Sequence, residues 1–248
     1  MANRGRVYRR GATVRRPRSP FGQATHAVLA HLDRVGFASA PRVLAVDADT
    51  EVLSWIPGRA ACDPLPDWSL SEQSLISVAT LIRRFHQAMR SFNGAGLSWA
   101  RPVPPGYRGA LVSHNDLHPG NIIFDGPVAV GLIDFDLAGP GSVVWDVATA
   151  VRCWCPLADD PDVPPAVAGC RLQRLALFLD AYGLAAPDRV AVAEALVPNH
   201  DWTYRIVTDA VRSGHPGFRD YWGEVAQRTD RARDWTLRHG GELIAAVS

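Results

Sequence analysis

Short β-prone runs alternate with turn residues through residues 1–58, a pattern typical of a small, mainly antiparallel sheet. The stretch "RVYRRGATVRRP" (6–17) predicts a β-hairpin. Apolar positions at helical spacing predict a helix over 25–35. Two further strands are expected at 42–46 and 51–56, bounded by turn residues.

After residue 58 the apolar pattern changes to a long helical period. The segment "SLSEQSLISVATLIRRFHQAMRSF" has Ser71 in the position of a helix cap, and an apolar strand, "VAVGLIDFD", follows later. Further helices are expected near 143–154, 166–183, 188–196, 200–213 and 218–239. The pattern therefore predicts an α+β fold with a sheet-rich N-lobe, residues 1–58, and a larger helical C-lobe, residues 59–248.

Composition narrows the class of protein. With 248 residues, 47% of them hydrophobic, the chain is long enough to bury a full core. The formal net charge of +1 argues against general nucleic-acid binding. All 26 basic residues are arginine, so any chemistry that needs a side-chain cation must use a guanidinium.

The cysteines and the hydropathy pattern bear on the compartment. The four cysteines, Cys62, Cys153, Cys155 and Cys170, form no CxxC pair and are expected to be reduced thiols, with a metal site at Cys153 and Cys155 as an alternative. No apolar stretch approaches the length of a membrane span. A cytoplasmic bacterial protein is expected, with no membrane partner.

Polar residues are concentrated in "VSHNDLHPGNIIF", between apolar flanks. Asp116 is followed five residues later by Asn121, and Asp134 comes at the end of the next apolar strand. Two carboxylates and an amide on loops beside strands suit phosphoryl transfer: one carboxylate takes the proton of an attacking hydroxyl, and the other carboxylate and the amide hold Mg²⁺. The order of the three residues matches the catalytic and metal-binding segments of kinases.

Two other interpretations of these residues remain open. Each Asp and Asn alone could be a turn or cap residue. His114 and His118, with Asp116 between them, could instead form a metal site of the hydrolase type.

The stretches "SHNDLHPGNIIF" and "GLIDFDLAGPGSVVWDVATAV" together resemble the aminoglycoside phosphotransferase and choline kinase family, the small-molecule branch of the protein-kinase-like fold. The resemblance implies that Asp116 is the catalytic aspartate, that Asn121 and Asp134 are magnesium ligands, and that His114 braces the loop. Three further residues take supporting roles. His118 packs in the loop or on the acceptor side, Asp136 contacts the metal region or the substrate, and Asp146 ties the helical lobe to the catalytic loop.

The nucleotide side departs from the family pattern, in which a strand lysine is oriented by a helix glutamate. The chain has no lysine, and Arg16 is the expected substitute, on the strand face opposite to Arg15. The helix position offers only Gln23, Thr25 or His26, so Arg16 is expected to lack an orienting carboxylate. Two further expectations are a weak glycine-rich loop around Gly5 and Arg6, and an adenine hinge formed by Ser54, Trp55 and Ile56.

These features lead to two hypotheses. The first is an ATP- or GTP-dependent, Mg²⁺-dependent kinase that phosphorylates a hydroxyl of a small polar molecule. The second is a nucleotide-binding pseudokinase without activity, suggested by the missing lysine and glutamate. A cationic acceptor would require acidic residues of the helical lobe, and an aromatic pocket is the other expected acceptor feature; the acidic candidates are Asp159, Asp160, Asp162, Asp201 and Asp209, and the aromatic ones Trp154, Trp202, Tyr204 and Trp222.

Overall fold

The computed structural model describes residues 7–62, 65–214 and 216–248, with the backbone alone for 216–224. Gly5, Arg6 and the side chain of Trp222 lie outside this description. None of the described helices is long and apolar enough to cross a bilayer.

The N-terminal sheet has four antiparallel strands in the order β1-β2-β4-β3. Strands β1 (Tyr8–Arg10) and β2 (Thr13–Pro17) form the predicted hairpin, and Gly11 takes the left-handed conformation of its turn (φ +58°). The remaining strands are β3 (Val43–Val46) and β4 (Thr50–Ser54). Helix α1 (Gly22–Arg34) begins three residues before the predicted start.

Helix α2 (Glu72–Met89) begins at the predicted cap, because the Ser71 side chain accepts a hydrogen bond from the Ser74 N–H. Its apolar face contributes Val78, Ile82 and Phe85 to a core that also contains α1 residues. A second, three-stranded sheet has the order β5-β7-β8. Its strands are β5 (Arg59–Ala60), β7 (Ile122–Asp125) and β8 (Val128–Leu132), and a two-stranded sheet joins β6 (Leu111–Ser113) to β9 (Gly139–Gly141).

The described residues after β9 are mainly helical and form α3 (Val143–Trp154), α4 (Arg171–Tyr182), α5 (Ala186–Arg212), α6 (Pro216–Arg238) and α7 (Gly240–Val247). The predicted pair of helices at 188–196 and 200–213 is wrong, because a single helix runs through both with Pro198 inside it. Packing against α3 compensates for the backbone hydrogen bond that proline cannot form: Asn199 and Trp202 are buried there, and the Trp202 ring meets that of Trp145 edge to face. The fold is the predicted α+β, protein-kinase-like arrangement.

Candidate active site

The β7–β8 hairpin brings the two polar segments of the sequence together. Its register pairs Ile122 with Leu132, so that the residues just beyond the strands, Asn121 and Ile133, are also neighbours. The Ile133 N–H donates to the Asn121 carbonyl at 2.9 Å. Asp134 follows directly and has left-handed backbone geometry (φ +63°), which aspartate tolerates better than most residues.

Asp116 and Asn121 are in direct contact. The Asn121 side-chain N–H₂ donates to the Asp116 carboxylate at 2.8 Å and to its backbone carbonyl at 2.9 Å. His118 Nε2 lies 3.7 Å from the same carboxylate, and its Nδ1 accepts from the Gly120 N–H. The Asp116 side chain is 32% exposed, so it is held in place and still open to a bound molecule.

Asp146, on α3, fixes the loop that leads to Asp116. Its fully buried carboxylate accepts from the backbone N–H of His114 at 2.9 Å and of Asn115 at 2.7 Å. Asn115 has φ +64°, and the two hydrogen bonds that Asp146 accepts stabilise this unusual turn. His86 of α2 lies 2.9 Å from the same carboxylate, so that one side chain joins two helices to the loop.

His114 is completely buried beside this turn. Its Nε2 lies 3.1 Å from the Ile133 carbonyl, and its ring packs on Phe135. Burial lowers the pKa of His114, and the nearby Asp146 carboxylate only partly opposes that effect. A neutral, packed imidazole fits the bracing position that the sequence suggested.

Arg16 reaches from β2 to the two acidic residues after β8. Its Nη1 lies 3.1 Å from Asp134, and its Nη2 lies 2.6 Å from Asp136. Burial alone would lower the pKa of Arg16, but the carboxylates of Asp136, Asp134 and Glu51 raise it overall. Desolvation in the cleft raises the pKa of Asp134 and Asp136 against the opposing effect of Arg16.

A carboxylate that the sequence interpretation missed also holds Arg16. Glu51, on β4, is 1% exposed and accepts from Arg16 Nε at 2.5 Å. The expectation that Arg16 lacks an orienting carboxylate is therefore wrong. The family pattern places this carboxylate on the helix, whereas in this chain the antiparallel register places Glu51 directly opposite Arg16 on the neighbouring strand. Arg15, on the other face, binds Asp47 and Thr50 in a more exposed position.

The donor set is suitable for Mg²⁺. The Asn121 amide nitrogen is engaged by Asp116, which leaves the amide oxygen as a possible ligand. The Asp134 carboxylate is 46% exposed and contacts Arg16 through one oxygen. Hard oxygen ligands of this kind, completed by water and phosphate, are the usual surroundings of Mg²⁺.

The predicted adenine hinge lies where β4 ends. The N–H groups of Ser54 and Trp55 donate to backbone carbonyls of the same lobe, at 2.9 and 2.8 Å. The Trp55 ring packs beneath the guanidinium of Arg9. Ile56 packs closely over Gly131, where a Cβ would come within 2.8 Å of its side chain. The backbone of Ile56 is thus the part of the predicted hinge best able to bind a base, and the hinge stays a prediction.

The acidic residues expected to meet a cationic acceptor are all paired with arginine. The ion pairs are Asp159–Arg238, Asp160–Arg171, Asp162–Arg231, Asp201–Arg233 and Asp209–Arg101. Trp202 is buried in a small apolar cluster, and the Trp154 indole donates to the Leu117 carbonyl inside the core. The five aspartates, Trp154 and Trp202 thus each have a structural partner of their own.

The two other metal sites considered from sequence find no support in the described part of the chain. Among those residues no group of three His, Cys, Asp or Glu side chains could hold a metal ion. Cys155 is buried, and burial raises its pKa to about 12, which disfavours the thiolate that a metal would need.

Comparison with known proteins identifies relatives of this part of the chain and of its fold. Residues 97–194, which contain Asp116, Asn121 and Asp134, match the model of the phosphotransferase enzyme family. A choline/ethanolamine kinase family protein from Mesorhizobium loti has the same fold, with a TM-score of 0.64 and 16% identity over 97% of this chain and 88% of that one. An aminoglycoside 2'-phosphotransferase solved with GDP gives a TM-score of 0.56 at 13% identity over 97% and 88% of the two chains. The fold is therefore that of the choline kinases and aminoglycoside phosphotransferases.

Sequence relatives extend this result to the whole chain. The trifolitoxin immunity protein of Rhizobium leguminosarum bv. trifolii is 32% identical over 98% of this chain and 95% of its own. A homoserine kinase of Bradyrhizobium sp. (strain ORS 278) is 33% identical over 40% of this chain but only 27% of its own. The chain belongs to the aminoglycoside phosphotransferase and choline kinase family, and its similarity to the trifolitoxin immunity protein covers nearly the whole of both sequences. The general activity that these similarities support is phosphotransfer to a small molecule.

Proposed function

We propose that this protein is a Mg²⁺-dependent phosphotransferase that moves the γ-phosphate of ATP or GTP to a hydroxyl of a small polar molecule. The observation that carries the proposal is the cleft itself. The Asp116–Asn121 pair and the Asp134 carboxylate lie on adjoining loops, opposite a buried guanidinium from the N-terminal sheet. A proton acceptor, a cation and oxygen ligands facing one space are the parts that phosphoryl transfer uses.

Each residue has a defined task in the reaction. Asp116 accepts the hydrogen bond of the acceptor hydroxyl and takes its proton as the oxygen attacks the γ-phosphorus, while the bond to the β-phosphate breaks and the nucleoside diphosphate leaves. Arg16 balances phosphate charge through its Nη atoms. Asn121 and Asp134 would hold Mg²⁺, and the ion would neutralise the charge that develops on the phosphate oxygens.

The names of the relatives guide the choice of acceptor. One is named for immunity to trifolitoxin and the other for homoserine kinase activity. The pairing of all five acidic candidates with arginine favours a neutral or zwitterionic acceptor over a polycationic one. Toxins and amino acids that carry a hydroxyl are therefore the first compounds to test.

A second candidate function is nucleotide binding without phosphotransfer. The absence of lysine favours it, as does the full-length relative whose name describes immunity and no reaction. The retained Asp116, Asn121 and Asp134 favour the enzyme, because binding alone does not require a proton acceptor.

Thermal-shift measurements with ATP and GTP, each with and without Mg²⁺, followed by transfer of labelled γ-phosphate to a panel of hydroxyl compounds, test both functions. The phosphotransferase is expected to be stabilised by the Mg²⁺-nucleotide and to label at least one acceptor. Stabilisation without transfer or hydrolysis would favour the binding protein. A protein that shows no stabilisation by nucleotide and no transfer of phosphate would contradict both proposed functions.

A further inference from the structure

We infer that Glu51 is the residue that positions Arg16 for the nucleotide phosphates, and that His26 on α1 positions Glu51. The inference rests on the proposed function, because it concerns how the same cleft holds a triphosphate. It assigns a role to two residues that lie away from the catalytic loop and have no part in the reaction described above.

The strand register brings Glu51 and Arg16 together. The two residues are directly paired across the antiparallel strands β2 and β4, so their side chains leave the sheet on the same face. Both side chains are buried, at 1% and 9% exposure. A buried carboxylate or guanidinium without a partner is costly, so this pair stays together once the sheet has formed.

The way Arg16 is held determines where its charge points. Glu51 takes the Nε–H, the donor nearest the side-chain stem. The two Nη atoms remain at the far end of the planar group, where they contact Asp134 and Asp136 across the cleft. A planar guanidinium that is fixed at Nε can turn only with its stem, so its outer edge keeps facing the cleft.

His26 completes the arrangement from the helix side. Its Nε2 is hydrogen-bonded to the second oxygen of Glu51, the one that Arg16 does not use. Both oxygens of the Glu51 carboxylate are therefore engaged, one by the strand and one by α1. Helix α1 therefore positions Arg16, the cation that would bind phosphate, indirectly through His26 and Glu51. The carboxylate itself comes from strand β4.

The sign of the effect on nucleotide binding separates this role from a simple charge effect. Glu51→Gln removes a negative charge, so Coulomb's law alone predicts tighter binding of an anionic nucleotide. Loss of positioning predicts weaker binding instead, by about tenfold, as expected for one charge-assisted hydrogen bond. Calorimetric titration of Mg²⁺-ATP and Mg²⁺-GTP into the full-length protein measures the direction.

A double-mutant cycle shows whether Glu51 acts through Arg16. We expect Glu51→Gln to weaken binding in the wild-type background and to add almost nothing in the Arg16→Gln background. His26→Leu, which removes only the outer hydrogen bond, should weaken binding about threefold in the same direction, and it serves as the test if Glu51→Gln does not fold. The matched control is Asp47→Asn, which breaks the exposed Arg15–Asp47 pair of the same sheet and should leave affinity unchanged.

The outcomes are distinct. Unchanged or tighter binding in Glu51→Gln and His26→Leu, additive effects in the cycle, or an equal loss in Asp47→Asn would each overturn the inference and leave the proposed function standing. A wild-type protein that binds neither nucleotide would overturn the proposed function, and the inference with it.

Discussion

At the scale of single residues, Asp116 and Asp134 have the same chemistry but different neighbours. Asp116 accepts a hydrogen bond from Asn121, whereas Asp134 contacts the Arg16 guanidinium. We expect Asp134→Ala to weaken Mg²⁺-dependent nucleotide binding by tenfold or more, on the order of one lost metal ligand, because a carboxylate that would balance the cation is gone. Calorimetry with and without Mg²⁺ measures this difference; an equal loss without Mg²⁺ would show that Asp134 has another role.

Arg16 gives a second prediction at this scale. Arg16→Ala should raise the nucleotide KM and lower kcat together, and Arg16→Lys should recover only part of both. A lysine has one nitrogen, which cannot bind Glu51 and reach the cleft through separate atoms as Nε and the Nη pair do. Steady-state kinetics of both variants test this, with Arg15→Ala as the control that should be nearly silent. Full recovery by lysine would mean that the second nitrogen is not needed.

Arg16 and Glu51 show how far sequence reasoning extends. The position of Arg16 on the inner strand face could be predicted, because side chains alternate along a strand. The partner of Arg16 could not, because Glu51 lies 35 positions away and only the register of β2 against β4 makes them neighbours. The proximity of Asp116, Asn121 and Asp134 could be predicted from the sequence, because short loops and one hairpin connect them.

At the scale of elements, the prediction of helices was best where one apolar face decides the structure, as in α2. It failed for α5, where Pro198 is a local signal against a helix and tertiary packing on α3 prevails. The single helix keeps Asn199 in place, where its side chain bonds Thr149 and Arg152 of α3. Such pairing cannot be seen in the pattern of either segment alone.

The connection between α3 and the loop that contains His114 and Asn115 leads to an element-scale prediction. Asp146→Asn should lower the free energy of unfolding by about 3 kcal/mol, because buried backbone N–H groups of His114 and Asn115 lose a charged acceptor. Urea denaturation measures the loss. Asp125→Asn, at the exposed end of β7, is the control, and the same small change in both variants would contradict the account.

A prediction for β8 concerns the contact of Gly131 with Ile56, a residue of the predicted adenine hinge. Gly131→Ala should destabilise the protein by about 1–3 kcal/mol, because the added Cβ would lie 2.8 Å from two atoms of Ile56. Thermal unfolding compares it with Gly169→Ala, where the added Cβ meets nothing within 4 Å. Equal melting temperatures for the two variants would show that Ile56 moves aside without cost.

At the scale of the whole molecule, buried histidines link stability to pH. Burial lowers the pKa of His200 to about 2, with Arg152 and Arg233 adding to the shift, so the ring stays neutral in the folded protein. The unfolded chain takes up the proton below a pKa of about 6.5, so stability falls as the pH falls through that value. His200 alone should cost about 1 kcal/mol between about pH 7.5 and 5.5.

Urea denaturation of wild-type protein and His200→Leu at both pH values isolates this contribution. We expect the variant to lose less stability on acidification than the wild type. An identical loss would mean that His200 already carries a proton when folded, or that the unfolded chain does not gain one.

The central claim for the molecule is that Asp116 serves phosphoryl transfer, and the most direct measurement compares wild-type protein with Asp116→Asn in the transfer of labelled γ-phosphate to an acceptor that the wild type uses. The account predicts that the variant loses kcat by about 10²-fold or more while its affinity for the Mg²⁺-nucleotide stays near that of the wild type. A variant with unchanged kcat, or one that loses nucleotide affinity in proportion to activity, would contradict it.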